Sequence, residues 1–301
     1  MTFAERLHGG NLPLIADGAI GTRLLDDRAT PATAPGQLPC VEHLNLTAPD
    51  LVLSVHRSYL QAGAELQVTN SFGASAHRLK SFGLDAKVRS INEKAAALAR
   101  AARDEISGRT AFILGSCGPI GAVEDATDLY TEQMTALAAG GIDVFLIESV
   151  RSLSELKSAL TAASVLNRRF PAPLPVMVSI CPVDESLGFS DGSLTDLFSV
   201  IADYSVSVLG VNCGDGVQLV EQALAVLRDR FNGPLLAMPS AGLPSMHEGR
   251  LKYPLSAELW ADKIADWHQK FSLAVAGGCC GTRPQHIKAI RRRFFPALQE
   301  S

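Results

Sequence analysis

Short apolar runs rich in β-branched residues recur along the chain at intervals of roughly thirty to fifty residues, each followed by a stretch of helical periodicity. They predict strands at Leu12–Ala16, Glu65–Thr69, Ala111–Gly115, Val144–Ile147, Val176–Ser179, Val206–Val211, Leu235–Met238 and Leu273–Ala276. The stretches between them predict helices. One spans Val88–Ile106, opened by the Ser90/Glu93 spacing, and another spans Ser152–Leu166, where Ser152 and Glu155 form a capping box. A third begins near Ser256 and carries Leu259, Trp260, Ile264 and Trp267 at helical spacing, with both tryptophans as packing residues. Eight strands alternating with helices imply a parallel sheet, and closing it into a (β/α)8 TIM barrel removes the exposed edges. An open doubly wound sheet is the alternative, weakened by the absence of a G-x-G-x-x-G turn after the first strand. The longest strand-to-helix segments are Thr22–Leu46 (with Pro31, Pro35 and Pro39), Cys181–Ser193 and Pro239–Pro254. All three follow a strand's C-terminal end, where barrel enzymes carry their chemistry.

Composition narrows the class. At 301 residues the chain is long for a single domain unless it is a barrel, and 47% hydrophobic against 19% charged residues supplies a large core. No tandem repeat or composition shift marks a linker, so residues 1–301 are expected to form one domain. A net charge of −4 leaves no electrostatic footprint for nucleic acid. The basic run Arg291-Arg292-Arg293 reads as the solvated face of a terminal helix. Met1–Leu12 lacks the apolar core of a secretory signal, and no run is long enough to span a bilayer, so a cytoplasmic protein with no membrane partner is expected. Reduced thiols in that compartment turn attention from disulfides to metal or catalysis.

Reactive residues gather at the predicted strand ends: Asp17, Asn70, Cys117, Glu148, Cys181, Cys213 and Cys279-Cys280. A free cysteine is by default a small buried hydrophobe, and Cys40, Cys117 and Cys181 are read that way. The segments Gly210-Val-Asn-Cys213 and Gly277-Gly-Cys-Cys-Gly281 differ, because adjacent cysteines between glycines are poor core and poor strand material. Flanking glycines permit the backbone angles that turn two neighbouring sulfurs toward one point. With Cys213 from another strand end, three thiolates are expected at the barrel mouth, a soft donor set that selects zinc and leaves a fourth position open. The histidines at 43, 56, 77, 247, 268 and 286 show no ligand spacing, and His247-Glu248 does not make an H-E-x-x-H helix.

These residues carry a resemblance. Asp17-Gly-Ala-Ile-Gly-Thr22, Thr69-Asn-Ser-Phe-Gly73, Gly115-Ser-Cys-Gly-Pro119, Leu146-Ile-Glu148, Gly210-Val-Asn-Cys213, Ala241-Gly-Leu-Pro244 and Gly277-Gly-Cys-Cys-Gly-Thr282 run in order over nearly the whole chain. In them the sequence resembles the zinc-dependent homocysteine S-methyltransferases, especially the homocysteine-binding domain of cobalamin-dependent methionine synthase. The resemblance implies that Cys213, Cys279 and Cys280 bind Zn2+ and that homocysteine supplies the remaining ligand through sulfur. It also implies that Asp17 and Glu148 face the substrate ammonium and that backbone N–H groups near Gly18 receive its carboxylate. For Asn70, a place on the donor side, support of the metal loop and a purely structural hydrogen bond all stay open. Asp17 and Glu148 have a blander alternative as helix caps.

Departures from the family's branches bear on the methyl donor. Gly281 stands where the S-methylmethionine branch tends to carry Arg, and Gly73 where the betaine branch has Tyr. Both favour a methionine-synthase-like barrel. Pro239-Ser240-Ala241-Gly242, where Pro-Asn-Ala-Gly is common, departs on the donor side. No folate or cobalamin domain follows the eighth helix, so the donor is expected to be a small free molecule or to arrive on a separate corrinoid- or folate-binding protein. Three competing readings are a non-catalytic zinc- or homocysteine-binding subunit or sensor, a barrel enzyme acting on another thiol, and a phosphate-binding loop at the last strand.

Overall fold

The computed structural model describes residues 1–26, 39–106, 108–121, 123–184, 186–214, 217–247 and 250–296. Pro31, Pro35 and Glu248 lie outside the described residues. All eight expected strands form: β1 (Leu14–Ile15), β2 (Leu66–Val68), β3 (Phe112–Cys117), β4 (Val144–Val150), β5 (Val176–Ile180), β6 (Val208–Cys213), β7 (Leu235–Pro239) and β8 (Leu273–Ala276). Every pairing is parallel and each strand neighbours the next in sequence, with β1 beside β8. A parallel bridge between Ala16 and Leu66 joins β1 to β2, where Glu65 N–H donates to Ile15 O at 2.6 Å and Asp17 N–H to Leu66 O at 3.0 Å. That bridge closes the ring as a (β/α)8 barrel and rules out the open sheet.

Alternation along each strand sorts side chains into two cores. Leu14, Leu66, Phe112, Leu114, Leu146, Met177, Val208, Leu236 and Val275 fill the barrel interior. Phe3 and Leu7, from the helix Phe3–His8, join that interior cluster, and Phe3 meets Phe112 edge-on at 5.6 Å. Residues one position away, such as Ile113, Phe145, Val178 and Leu209, pack outward against the helices. Gly210 is inward-facing, and a Cβ there would stand 2.0 Å from Leu236 O, so β6 and β7 approach only because this position is glycine.

The helices follow their periodicity with three corrections. Leu259 lies 59% exposed, whereas Trp260, Ile264 and Trp267 are buried as packing residues. The helix Val88–Asp104 starts at the expected residue and ends two short of Ile106, but Ser90 and Glu93 do not cap it: Ser90 donates its hydroxyl back to Lys87 O and Glu93 takes Arg89. Ser152 caps Leu153–Asn167 as expected by accepting from Glu155 N–H. Glu155 does not close the box: its carboxylate instead takes the N–H groups of Ile120 and Gly121 and the Tyr130 hydroxyl. Among the described residues no helix is long and apolar enough to cross a membrane. A short antiparallel hairpin, Ser245–His247 with Arg250–Lys252, lies in the connection after β7.

Candidate metal centre

At the C-terminal end of the barrel the inward positions change from apolar to polar: Ser116 on β3, Glu148 on β4, Ser179 on β5 and Asn212 on β6. Ser116 and Glu148 line a cavity of about 500 Å³ whose wall also includes Asp17, Gly18, Asn70, Cys213, Cys279 and Cys280, while Ser179 and Asn212 lie buried behind it. The volume lies in the range of small-molecule sites.

Cys213 ends β6 with a left-handed backbone, φ 58°, and Gly214 continues it at φ 83°. Such a conformation in a non-glycine residue costs on the order of 1–3 kcal/mol and marks a position that its surroundings over-determine. The facing loop after β8 is pinned by a run of hydrogen bonds. Gly278 N–H donates to Asp17 O, Cys279 N–H to Pro239 O, and Ala241 N–H to Cys280 O, all at 2.8–2.9 Å. Thr282 donates its hydroxyl to Cys279 O at 2.7 Å. The glycines on either side work differently from each other. Gly281 supplies the left-handed turn at φ 77°, with the Tyr253 ring where a Cβ would go. Gly277 and Gly278 instead allow close approach to Ala16 and Thr282.

The three sulfurs lie within 4.8 Å of one another, and Cys213 Sγ stands 3.6 Å from Cys280 Sγ. Thiolates at ~2.3 Å around a tetrahedral zinc are separated by roughly 3.8 Å, so the donor set fits a single ion by chemistry and by spacing. Among the described residues this is the one such grouping of metal-capable side chains, and it contains no histidine. Crowding splits the proton affinities of the thiols. Hydrogen bonds from Cys213 and Cys279 pull Cys280 below its ordinary value, while hydrogen bonding to Cys213 and Cys280, together with burial, pushes Cys279 up.

Two carboxyl groups stand beside the sulfurs. Asp17 is fully buried; its Oδ2 accepts from Val68 N–H at 3.0 Å, and its buried Oδ1 has no hydrogen-bond partner among the described residues. Burial pushes its carboxyl well above the usual range, with the charge of Glu148 adding to the rise and the Val68 N–H opposing it. Glu148 precedes a bulge in β4 at which Ser149 adopts φ 60°. Its Oε1 accepts from the Ser116 hydroxyl, and burial pushes its carboxyl up to about 7. Neither carboxyl caps a helix. Ala19 N–H, one residue past Gly18, already donates to Thr282 Oγ1 at 3.1 Å and so is engaged within the chain.

Asn70 touches the cavity, but both its amide protons are committed, to Val41 O and Asn45 Oδ1, at 2.8 and 2.9 Å. It fastens the segment Val41–Thr47 to the barrel. Cys117 is the outward residue of its strand, buried among the helices, and Cys40 is half-buried against Glu42. Cys181 is buried as expected, but it also lines the cavity and its sulfur accepts from Arg151 Nη2 at 3.3 Å. Sequence reasoning passed over Ser116 and Asn212, although both lie inside the quoted motifs at inward positions of strand ends.

Residues 14–294 match the homocysteine S-methyltransferase family. Methionine synthase of Mycobacterium leprae (strain TN) is 30% identical over 299 residues, covering 96% of this chain and 24% of that protein. Methionine synthase of Mycobacterium tuberculosis (strain ATCC 25618 / H37Rv) is 31% identical over 287 residues, covering 92% and 24%. The chain thus spans about a quarter of the length of these curated relatives. The metallated form of the homocysteine methyltransferase MmuM from Escherichia coli superposes with a TM-score of 0.76 at 25% identity, over 93% of this chain and 96% of that one.

Proposed function

Because the chain belongs to the homocysteine S-methyltransferase family, we propose that it moves a methyl group from a donor to the thiol of homocysteine, giving methionine, with zinc held by Cys213, Cys279 and Cys280. The observation that carries this reading is the convergence of three sulfurs beside two buried carboxyl groups at the open end of the barrel. Zinc bound there would supply a position at which an incoming thiol gives up its proton at neutral pH. Soft donors and the absence of histidine or water-facing carboxylates among the grouped ligands favour zinc over harder ions.

The chain's own residues account for recognition of the rest of the substrate. Among the described residues no cation contacts the Oδ1 of Asp17 or the carboxyl of Glu148, and an ammonium group brings one. It makes charge-assisted hydrogen bonds with them and restores the ionised form that burial opposes. The Ser116 hydroxyl holds Glu148 in place while this happens. The cavity also extends to Phe72, Arg78 and Pro119, which is where the methyl donor would lie. The donor is a small free molecule or is carried by a separate corrinoid- or folate-binding protein, and the 301 residues act as one barrel domain.

The test is a donor screen on zinc-loaded protein with homocysteine, reading methionine by mass spectrometry. Methyl-cobalamin, methyl-folate, betaine, dimethylsulfonio compounds and S-methylmethionine form the panel. Methionine from at least one donor is the expected result. No product from any of them, with the metal still stoichiometric, overturns the assignment in favour of a non-catalytic binding protein.

A further inference from the structure

Asn212 occupies the last inward position of β6, one residue before Cys213, and is 1% exposed. Its Oδ1 accepts from Ser149 N–H at 2.9 Å and from the Ser179 hydroxyl at 2.8 Å. A backbone N–H only donates, so turning the amide over would set donor against donor, and the orientation is fixed by its surroundings. Nδ2 therefore faces Ser149 Oγ at 2.8 Å, Glu148 Oε2 at 3.4 Å and Cys279 Sγ at 3.8 Å. Two protons meet three acceptors. The short contact to Ser149 takes one, which leaves the other between the carboxylate and the sulfur.

We propose that Asn212 is a positioning residue that fixes the Glu148 carboxylate and the Cys279 sulfur relative to each other. The distance between the ammonium and the thiol of the acceptor is then read as a single quantity. This rests on the assignment of Glu148 as the partner of the substrate ammonium. The bulge at Ser149 gives the device its stiffness, because the left-handed Ser149 presents both its N–H and its hydroxyl to the same amide. An acceptor that lacks the amine, or whose thiol is one methylene closer to it, satisfies only one end. Asn212 thus selects homocysteine over cysteine and over simple alkyl thiols.

The test uses cobalt(II)-loaded protein titrated with homocysteine, cysteine and 4-mercaptobutanoate, which lacks the amine, reading the thiolate-to-metal charge-transfer band. Wild type is expected to prefer homocysteine to 4-mercaptobutanoate by roughly tenfold or more, the usual scale for a hydrogen bond to a charged group. Asn212→Ala is expected to bring that ratio, and the homocysteine-to-cysteine ratio, to within a few-fold of one. It is also expected to shift the band before any thiol is added, since Cys279 loses its N–H donor. Asn212→Asp retains an oxygen for Ser149 N–H and Ser179, so it serves as the second variant should the alanine protein fail to fold. A merely structural role would lower the melting temperature and leave both ratios unchanged, and that result overturns the proposal. Glu148→Gln separates the two layers. If it collapses the amine preference while Asn212→Ala keeps it, only the positioning role fails; if it leaves the preference intact, the ammonium assignment fails with it.

Discussion

Replacing Glu148 with Gln removes an acid whose ionisation burial opposes. Burial raises its carboxyl from 4.5 to about 7, with the Ser116 hydroxyl holding the rise back. At ~1.36 kcal/mol for each pK unit, ionising this group costs the fold about 3 kcal/mol. The folded-state value lies above the unfolded one, so the stability contributed by the protonated carboxyl is fully present below about pH 4.5 and is lost as the pH rises through about 7. Gln does not titrate, and its carbonyl oxygen still accepts from Ser116. The variant should therefore match wild type near about pH 4 and exceed it by about 3 kcal/mol at about pH 9, a melting-temperature gain on the order of 5 °C for a chain of this size. The assay is calorimetric melting of metal-free protein, with chelator and thiol reductant present, across that pH range. In metal-loaded protein the same change should weaken homocysteine binding roughly 10–100-fold, since a charge-assisted hydrogen bond to the ammonium is gone. Opposite movement of stability and binding is what a substrate-facing acid produces. Melting temperatures that differ by a constant amount at every pH, or a wild type that gains on the variant as the pH rises, would refute the reasoning.

Cys280→Ser should weaken metal retention in chelator competition by more than the roughly 10–100-fold typical of an outer-shell change. Cys117→Ser, which alters a thiol packed among the helices, should leave retention unchanged. Gly281→Ala puts a Cβ 2.1 Å from the Tyr253 ring at φ 77°, so it should cost about 1–3 kcal/mol of backbone strain in addition to displacing Tyr253, and release metal in the same competition. Gly210→Ala drives a Cβ into Leu236 O at 2.0 Å and should lower the melting temperature at every metal concentration, at the upper end of the about 1–3 kcal/mol usual for overpacking.

The strands were legible because every parallel strand of a closed barrel is buried on both faces, and a short apolar run between helical stretches has few other places to go. Their ends were less so. β4 runs on to Val150 and β6 to Cys213, past the apolar runs, because polar side chains there point into a cavity and not into a core. Both helices start where expected, at Val88 and after Ser152, but the capping pairs failed where a side chain found a better partner: Ser90 took a carbonyl in its own first turn, and Glu155 left Ser152 for the N–H groups of Ile120 and Gly121. A spacing rule sees one segment, and those partners belong to another or to the wrong end of the same one.

The same distinction divides the site. Cys213, Cys279 and Cys280 announced themselves because thiols between glycines suit little else, and Asp17 and Glu148 because a carboxyl at the end of a buried strand needs a partner. Asn70 and Asn212 look alike in the sequence, each an asparagine at the close of an apolar strand, yet they differ in what remains uncommitted. The Asn70 amide spends both protons on Val41 and Asn45, so it binds one piece of the fold to another. The Asn212 amide spends one on Ser149 and turns the other toward Glu148 and Cys279. What separates a fastening from a functional group is thus the direction of one N–H bond, set here by Ser149 in a left-handed backbone that its own β-branchless, hydroxylated side chain gives no reason to expect.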